Sequence, residues 1–176
     1  MQRQVAFLGM LGLALFSYFG TRVSQVVARP PDRVINLERI GSTPFIGSTG
    51  TEIAVFDPES KRLFSTNVLT SSIDIFDLSN PAAPVLVTSV ALGGTPNSVA
   101  ARDGIFAVAV ENTTKTTPGR VAFFNPNGAL LSSLTVGAQP DMVTFTHNGR
   151  RLLVANKGNL TQPTPSILRA LSASST

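Results

Sequence analysis

The amino-acid sequence predicts an all-β fold, an incomplete β-propeller of about two and a half four-stranded blades that follows an N-terminal hydrophobic segment. Three related segments begin at Thr51, Pro96 and Pro140, at steps of 45 and 44 residues. A period in the forties that is filled with short β-rich runs is typical of one propeller blade. Glycine and proline lie mostly between these runs, as expected when tight turns join many short strands.

Composition sets the class of protein. With 176 residues, 43% of them hydrophobic and only 14% charged, the chain is long and apolar enough to bury a sizeable core. The net charge of +4 comes without clustered lysine and arginine, so no nucleic-acid partner is predicted. Cysteine is absent, which excludes disulfides, thiolate metal sites and a cysteine nucleophile.

The amino terminus predicts the compartment. Arg3 precedes an apolar stretch from Val5 to Phe16, and Val26-Val27-Ala28 fits a cleavage site, so residues 1–28 are predicted to be a signal peptide. The protein would then be secreted, periplasmic or on the cell surface. Two alternatives remain open: an uncleaved anchor, which would be the chain's only contact with a membrane, and a buried helix of a cytosolic protein.

The propeller is predicted over residues 34–156, after a linker at 29–33 that two adjacent prolines hold extended. Residues 34–40 alternate apolar and polar side chains, which predicts a lone strand placed to close a ring. The predicted blades are 52–92, 97–136 and 140–156. A small β-sandwich with regularly spaced strands is the alternative, although a sandwich gives no reason for the closing asparagines Asn67, Asn112 and Asn156 to recur.

The third blade is predicted to contain only two strands, with an irregular, truncated tail over 157–176. An open wedge exposes blade faces and unpaired strand edges, because each blade packs against two neighbours in a closed ring. We therefore expect low stability, self-association through the open edges, or completion by another chain.

The stretch from Ile35 to Asn156 resembles the choice-of-anchor I family, also called mesenchyme-specific cell surface glycoprotein-like, on the motifs AVAVEN, PGRV and PDMVTFT. This resemblance implies a secreted or surface-exposed seven-bladed propeller of the YVTN and WD40-like class, often within a much longer polypeptide. Some relatives carry an alkaline-phosphatase label, but no catalytic motif transfers to this chain. The sequence departs from the family pattern at Lys157.

Three polar residues occupy the same place in the three repeats: Glu52, Asn97 and Asp141. If the strand that carries them is innermost, they line one mouth of the central channel. Carboxylate and amide oxygens at such a mouth suit Ca²⁺ or a polar ligand. The alternative is that these side chains cap turns by bonding to backbone amides.

Glu111 and Asn112 are candidates to extend this rim, together with Asn67 and Asn156 at matching points of the repeat. The same turn-capping alternative applies to all of them. No catalytic residue and no metal ligand is assigned.

Other chemistry-bearing residues are few. His147, the sole histidine, falls beside Asn148-Gly149 in a predicted hairpin turn. Arg150, Arg151 and Lys157 form a basic group that suits a phosphate or an acidic glycan, or is a solvated strand end.

The sequence therefore favours a secreted or cell-surface module that binds an unknown ligand without catalysis. A metal-dependent phosphoester hydrolase of alkaline-phosphatase type is the second hypothesis, since Glu52, Asp141 and Glu111 supply carboxylates. A gene remnant without independent activity is the third.

Overall fold

The computed structural model describes residues 37–43 and 50–158, and the backbone of 166–169. The chain divides into Met1–Leu37 and Glu38–Thr176, and nearly all described residues belong to the second unit. The predicted signal segment 1–28 and linker 29–33 lie outside the described residues. Within these residues there is no helix long and apolar enough to cross a membrane.

The described residues form eleven β-strands in chain order. They are β1 (Thr51–Asp57), β2 (Arg62–Asn67), β3 (Ser72–Asp77), β4 (Val85–Ala91), β5 (Thr95–Arg102), β6 (Ile105–Glu111), β7 (Pro118–Phe124), β8 (Leu130–Ala138), β9 (Pro140–Phe145), β10 (Arg151–Asn156) and β11 (Ser166–Arg169).

The strands build three antiparallel sheets, called here blade 1 (β1 to β4), blade 2 (β5 to β8) and blade 3 (β9 to β11). In each blade the strands pair in chain order. The first strands lie together, because β1 contacts β5 and β5 contacts β9. The blades therefore converge on their first strands, as in a propeller, and the prediction of an all-β, incomplete propeller is confirmed.

An aromatic stack joins blade 1 to blade 2. The rings of Phe64 and Phe106 lie 3.6 Å apart between centroids at an interplanar angle of 12°. Ile73 and Ile75 from blade 1 and Val108 from blade 2 are buried in the same cluster. Burial of each such side chain contributes about 1.5–3 kcal/mol, so this interface is a principal source of stability.

Strand β6 is buried on both faces. Phe106, Val108 and Val110 face blade 1, whereas Ala107 and Ala109 belong to a second cluster between blades 2 and 3. That cluster also contains Val121, Val136, Val143, Leu152 and Val154. Alternate side chains of a strand point to opposite faces, so a central blade needs an uninterrupted apolar run such as Ile105 to Val110.

The fourth strands form the outer edge and face solvent. In β4, Val85 and Val87 are exposed, and in β8 every position from Leu130 to Thr135 is exposed. An outer strand has at most one face covered by the rest of the protein. Serine and threonine among its apolar residues therefore cost little stability. This explains why the sequence of β8 is partly polar.

Blade 3 differs from the prediction in one respect. The tail 157–176 was predicted to be irregular, but Ser166–Arg169 forms strand β11, which pairs antiparallel with β10 from Val154↔Ser166 to Arg151↔Arg169. Four residues carry too little alternation to signal a strand in sequence. The open edge of β10 supplies the unpaired backbone groups that they bond.

The predicted closing strand at 34–40 is wrong for its described part. Leu37 to Ile40 belong to no strand, and Leu37 and Ile40 are 92% and 67% exposed. An alternating pattern specifies a strand only when a sheet edge lies within reach. Residues 34–36 lie outside the described part of the chain.

The last residue of β3, Asp77, is an acid with a strongly perturbed pKa. Hydrogen bonds from Ser79, whose backbone N–H lies 2.7 Å from Asp77 Oδ1, lower the pKa of Asp77 to about 2. Arg62 lowers it further through Nη1, 2.7 Å from Asp77 Oδ2. The folded state therefore prefers the carboxylate form of Asp77.

Substitution of Asp77 is expected to change the acid sensitivity of the fold. A depressed pKa stabilises the native state above the ordinary value of 3.8, and this contribution is lost as pH falls towards about 2. Asp77→Asn should be less stable than the wild type at about pH 5, and the difference should shrink by about pH 2.5. Urea unfolding at both pH values measures this, with exposed Glu59→Gln as the control. A difference that stays constant with pH would contradict the assignment.

Candidate functional site

The three predicted rim residues lie at matching irregularities of the first strands. In blade 2 the pairing steps from Pro96↔Val110 to Ser98↔Ala109, which leaves Asn97 as the extra residue of a β-bulge. In blade 3 the step from Pro140↔Asn156 to Met142↔Ala155 leaves Asp141 extra. A bulge bends its strand and redirects its side chain.

Blade 1 repeats the irregularity. Its pairing steps from Thr51↔Asn67 to Ala54↔Ser65, so Glu52 and Ile53 lie opposite Thr66 alone. The backbone N–H of Ile53 donates to Thr66 Oγ1 at 3.0 Å and fixes the bulge. Glu52, Asn97 and Asp141, defined here as the inner rim, thus occupy equivalent bulges on the three converging strands.

The recurring asparagines are not all equivalent in space. Asn67 and Asn156 lie opposite Thr51 and Pro140, but the residue opposite Pro96 is Val110. The reason is that the β5–β6 turn holds only Asp103 and Gly104, whereas four residues separate the pair Asp57↔Arg62. The prediction that Asn112 matches the other two is therefore wrong.

Asn112 caps a loop. Its Oδ1 accepts a hydrogen bond from the Thr114 N–H at 3.0 Å, and its Nδ2 donates to the Pro118 carbonyl at 3.4 Å. Asn67 acts similarly, since its Oδ1 accepts from the Thr70 N–H at 3.2 Å. This is the turn-capping role that the sequence left open as the alternative.

Asn97 bridges two blades. Its Nδ2 donates to Glu111 Oε2 at 3.1 Å and to the Pro140 carbonyl of blade 3 at 2.9 Å. Glu111 is only 9% exposed, so its carboxylate requires such donors. The bulge therefore directs Asn97 towards the start of the next blade and brings it beside the bulge of Asp141.

Two lysines neutralise the carboxylates at this junction. Lys157 Nζ lies 2.6 Å from Asp141 Oδ1, and Lys115 Nζ lies 3.6 Å from Glu111 Oε1. The hydrogen bond to Asp141 and its charge raise the pKa of Lys157, and Glu111 adds to the effect. Both lysines are largely exposed, so a ligand can compete with them.

Glu52 differs from the other two rim residues. It is exposed, and no hydrogen bond or ion pair joins it to another residue in the described ranges. Over those ranges there is also no group of three or more His, Asp or Glu side chains placed to hold a metal ion. Ca²⁺ binding at the rim therefore stays a prediction, and the arrangement offers hydrogen-bond acceptors to a polar ligand.

A polar cluster on blade 1 was missed by sequence reasoning. Asp74 accepts hydrogen bonds from Ser89 Oγ at 2.6 Å, from Asn67 Nδ2 at 3.1 Å and from Ser72 Oγ at 3.5 Å. Ser65 lies directly opposite Asp74 on the same face. The available signal was the alternation in Ser72-Ile73-Asp74-Ile75, which places Ser72 and Asp74 on one face of β3.

The predicted basic group is divided by strand β10. Arg150 and Arg151 lie where this strand begins, whereas Lys157 follows its last residue and pairs with Asp141 at the rim. His147 lies in the exposed turn before Arg150, as predicted. Arg102 of blade 2, and not Lys157, lies beside this turn, where its guanidinium packs against Gly149.

Solved structures share the fold. Over 66% of this chain and 32% of the other, the chain is similar to hydrazine synthase from Kuenenia stuttgartiensis, with a TM-score of 0.53 and 13% identity. It is also similar to a putative 6-phosphogluconolactonase from Bacteroides fragilis, over 68% and 38%, with a TM-score of 0.53 and 16% identity. At these identities the likeness concerns the fold alone. The chain spans about a third of the length of either protein.

Comparison with curated proteins gives no match. The family comparison does, because the model described as "Choice-of-anchor I domain" matches residues 52–170, more than half of the chain. This range begins in β1, continues past Lys157 and ends just after β11, so the departure predicted at Lys157 does not end the match. The chain belongs to the choice-of-anchor I domain family, the family that its repeat motifs predicted.

Proposed function

We propose that this chain is a secreted or cell-surface propeller module that binds a polar ligand at its inner rim without chemical turnover. The family supports a surface or extracellular location, since its name refers to anchoring. The ligand is a compound rich in hydroxyl or amino groups, because the rim presents acceptors on Glu52 and on Asp141, which is 37% exposed.

One observation carries this proposal: three equivalent bulges place a polar side chain on each of three converging strands. Bulges interrupt backbone pairing and are over-represented beside functional sites. Because the bulges lie at matching positions of three converging strands, we expect their side chains to be presented to one region of space. A polar ligand would then exchange its bonds to water for bonds to these side chains.

The test measures binding and turnover on the full-length chain. Immobilised chitosan oligomers and dextran supply amino and hydroxyl groups, and biolayer interferometry measures their dissociation constants. Glu52→Gln is expected to weaken the wild-type binding about threefold to tenfold, by loss of a charge-assisted hydrogen bond. Glu59→Gln, a change at another exposed glutamate, in the turn of the β1–β2 hairpin, should leave this binding unchanged.

Hydrolysis of p-nitrophenyl phosphate tests the rival hypothesis in the same preparations, with Ca²⁺, Mg²⁺ or Zn²⁺ added. The proposal expects no turnover. Turnover that a chelator abolishes would establish the phosphatase hypothesis instead. Equal affinities of Glu52→Gln and Glu59→Gln would remove the rim from the binding site.

A further inference from the structure

The turn between β9 and β10 is rigid because its own polar atoms bond one another. The Gly149 N–H donates to the Thr146 carbonyl at 2.8 Å, and the Arg151 N–H donates to Thr146 Oγ1 at 3.1 Å. Asn148 Oδ1 accepts from the Arg150 N–H at 3.1 Å. Gly149 has φ 68°, in the left-handed region that glycine adopts without strain. These bonds therefore fix the backbone from which Arg150 and Arg151 project.

Two arginines lie in this turn and a third lies beside it. Arg150 and Arg151 belong to it, and a Cβ added at Gly149 would lie 2.6 Å from Nε of Arg102. Arg102 ends the first strand of blade 2, so it reaches the turn from the neighbouring blade. An open concavity of about 550 Å³ is lined by Thr146, His147, Asn148, Arg150 and Arg151. The arginine turn is defined here as 146–151 together with Arg102.

Among the described residues, Arg150 and Arg151 have no carboxylate partner, unlike Arg62 and Arg102. Arg62 pairs with Asp77 at 2.7 Å, and Arg120 donates to the Leu92 carbonyl. In contrast, within the described ranges no carboxylate forms an ion pair with Arg150 or Arg151. The carboxylate beside Arg102 is Asp103 at 3.3 Å, which is 80% exposed and so only weakly held.

We propose that the arginine turn is a second binding site, which takes the carboxylate or sulfate groups of an acidic polysaccharide. The planar guanidinium presents paired N–H donors that match the two oxygens of such groups. The concavity falls in the range of ligand pockets, about 300–1,000 Å³, which is enough to seat a charged sugar unit. His147 and Asn148 add polar groups for the sugar hydroxyls.

A polymer is favoured over a free anion because the site is open to water. An exposed ion pair contributes only about 0.2–1 kcal/mol, so one small anion is held weakly. A polymer offers many equivalent groups close to the site, and rebinding raises its apparent affinity. The choice of a polysaccharide rests on the surface location proposed above.

This site is separate from the inner rim. The rim bulges lie near the start of β5 and β9, whereas Arg102 ends β5 and the arginine turn follows the end of β9. The rim offers mainly acceptors and the arginine turn offers donors. The two proposals are tested with different ligands. Absence of binding at one site would therefore not contradict the proposal for the other site.

The test compares the full-length wild type with Arg150→Gln/Arg151→Gln on immobilised polygalacturonate and dextran sulfate. We expect the double variant to bind the acidic polymers at least about tenfold more weakly, since two charge-assisted contacts are lost. Arg39→Gln/Lys61→Gln removes two exposed charges elsewhere and is the matched control. It should reduce binding less than about threefold, through the general loss of charge.

Arginine-to-lysine substitution separates geometry from charge. Arg150→Lys/Arg151→Lys keeps the net charge but loses the paired donors, so its affinity should fall between the wild type and the glutamine variant. Equal weakening by both glutamine variants, or wild-type affinity in the lysine variant, would reduce the effect to net charge and overturn the proposal. Binding of inorganic phosphate or sulfate, but of neither polymer, would also overturn it. Circular dichroism of each variant checks that the fold is retained.

Discussion

Replacement of Phe106 by alanine is expected to lower the free energy of unfolding by about 3–5 kcal/mol, the largest effect of any single substitution considered for this fold. Phe106 has no exposed surface, and its ring stacks on Phe64 of blade 1 with centroids 3.6 Å apart. The substitution removes the ring and the stacking partner of Phe64 at once. The residual cavity lies between two sheets, where each side is fixed by its own hydrogen bonds and cannot collapse freely.

The matched control is Phe56→Ala, because Phe56 is 45% exposed and lies outside the buried cluster. Its loss should cost less than about 1.5 kcal/mol, since only part of the ring leaves water on folding. Urea unfolding followed by far-ultraviolet circular dichroism measures both variants. Equal costs for the two phenylalanines would show that the interface between blades 1 and 2 is not the main core.

Leu152→Ala is expected to cost about 2–5 kcal/mol, because Leu152 is fully buried between blade 2 and blade 3. Val121 of blade 2 and Val143 of blade 3 belong to the same buried cluster. Over the part of the chain that the structure describes, blade 3 has three strands and blade 2 has four, so the attachment of blade 3 depends heavily on this interface. The variant should lose protection of the β9 and β10 amides from hydrogen exchange before it loses that of β6.

Leu153→Ala is the control for this prediction, since Leu153 is the next residue of the same strand and is 39% exposed on the opposite face. Its expected cost is below about 1 kcal/mol. A cost as large as that of Leu152→Ala would show that this face is covered in solution, by self-association or by another chain. That result would contradict an open face of blade 3 and would support the predicted completion of the ring.

Several features of the fold follow from local sequence. The repeat starting at Thr51, Pro96 and Pro140 predicted three sheets, and the alternation and turn residues within each repeat predicted its strands. These features can be predicted from the sequence because strand periodicity and turn chemistry depend on neighbouring residues. The position of the rim residues was predicted for the same reason, since a fixed step of sequence places equivalent residues on equivalent strands.

Other features depend on turn lengths and on contacts between strands, which the sequence repeat does not show. The two-residue turn at Asp103-Gly104 shifts the register of β6, so that Asn112 leaves the level of Asn67 and Asn156. Likewise β11 forms because β10 offers an unpaired edge, although its four residues show no strand pattern. The position of Asn112 cannot be predicted from Asn112 alone, and strand β11 cannot be predicted from residues 166–169 alone.

By itself, the sequence determined the family, the all-β class and the blade period, since each rests on side-chain order along the chain. Only the tertiary structure decided which charges meet. Lys157 pairs with Asp141 instead of joining Arg150 and Arg151, and Arg102 joins that turn from another blade. The physical reason is that ion pairing depends on distance in space, which strand length and blade packing set independently of separation in sequence.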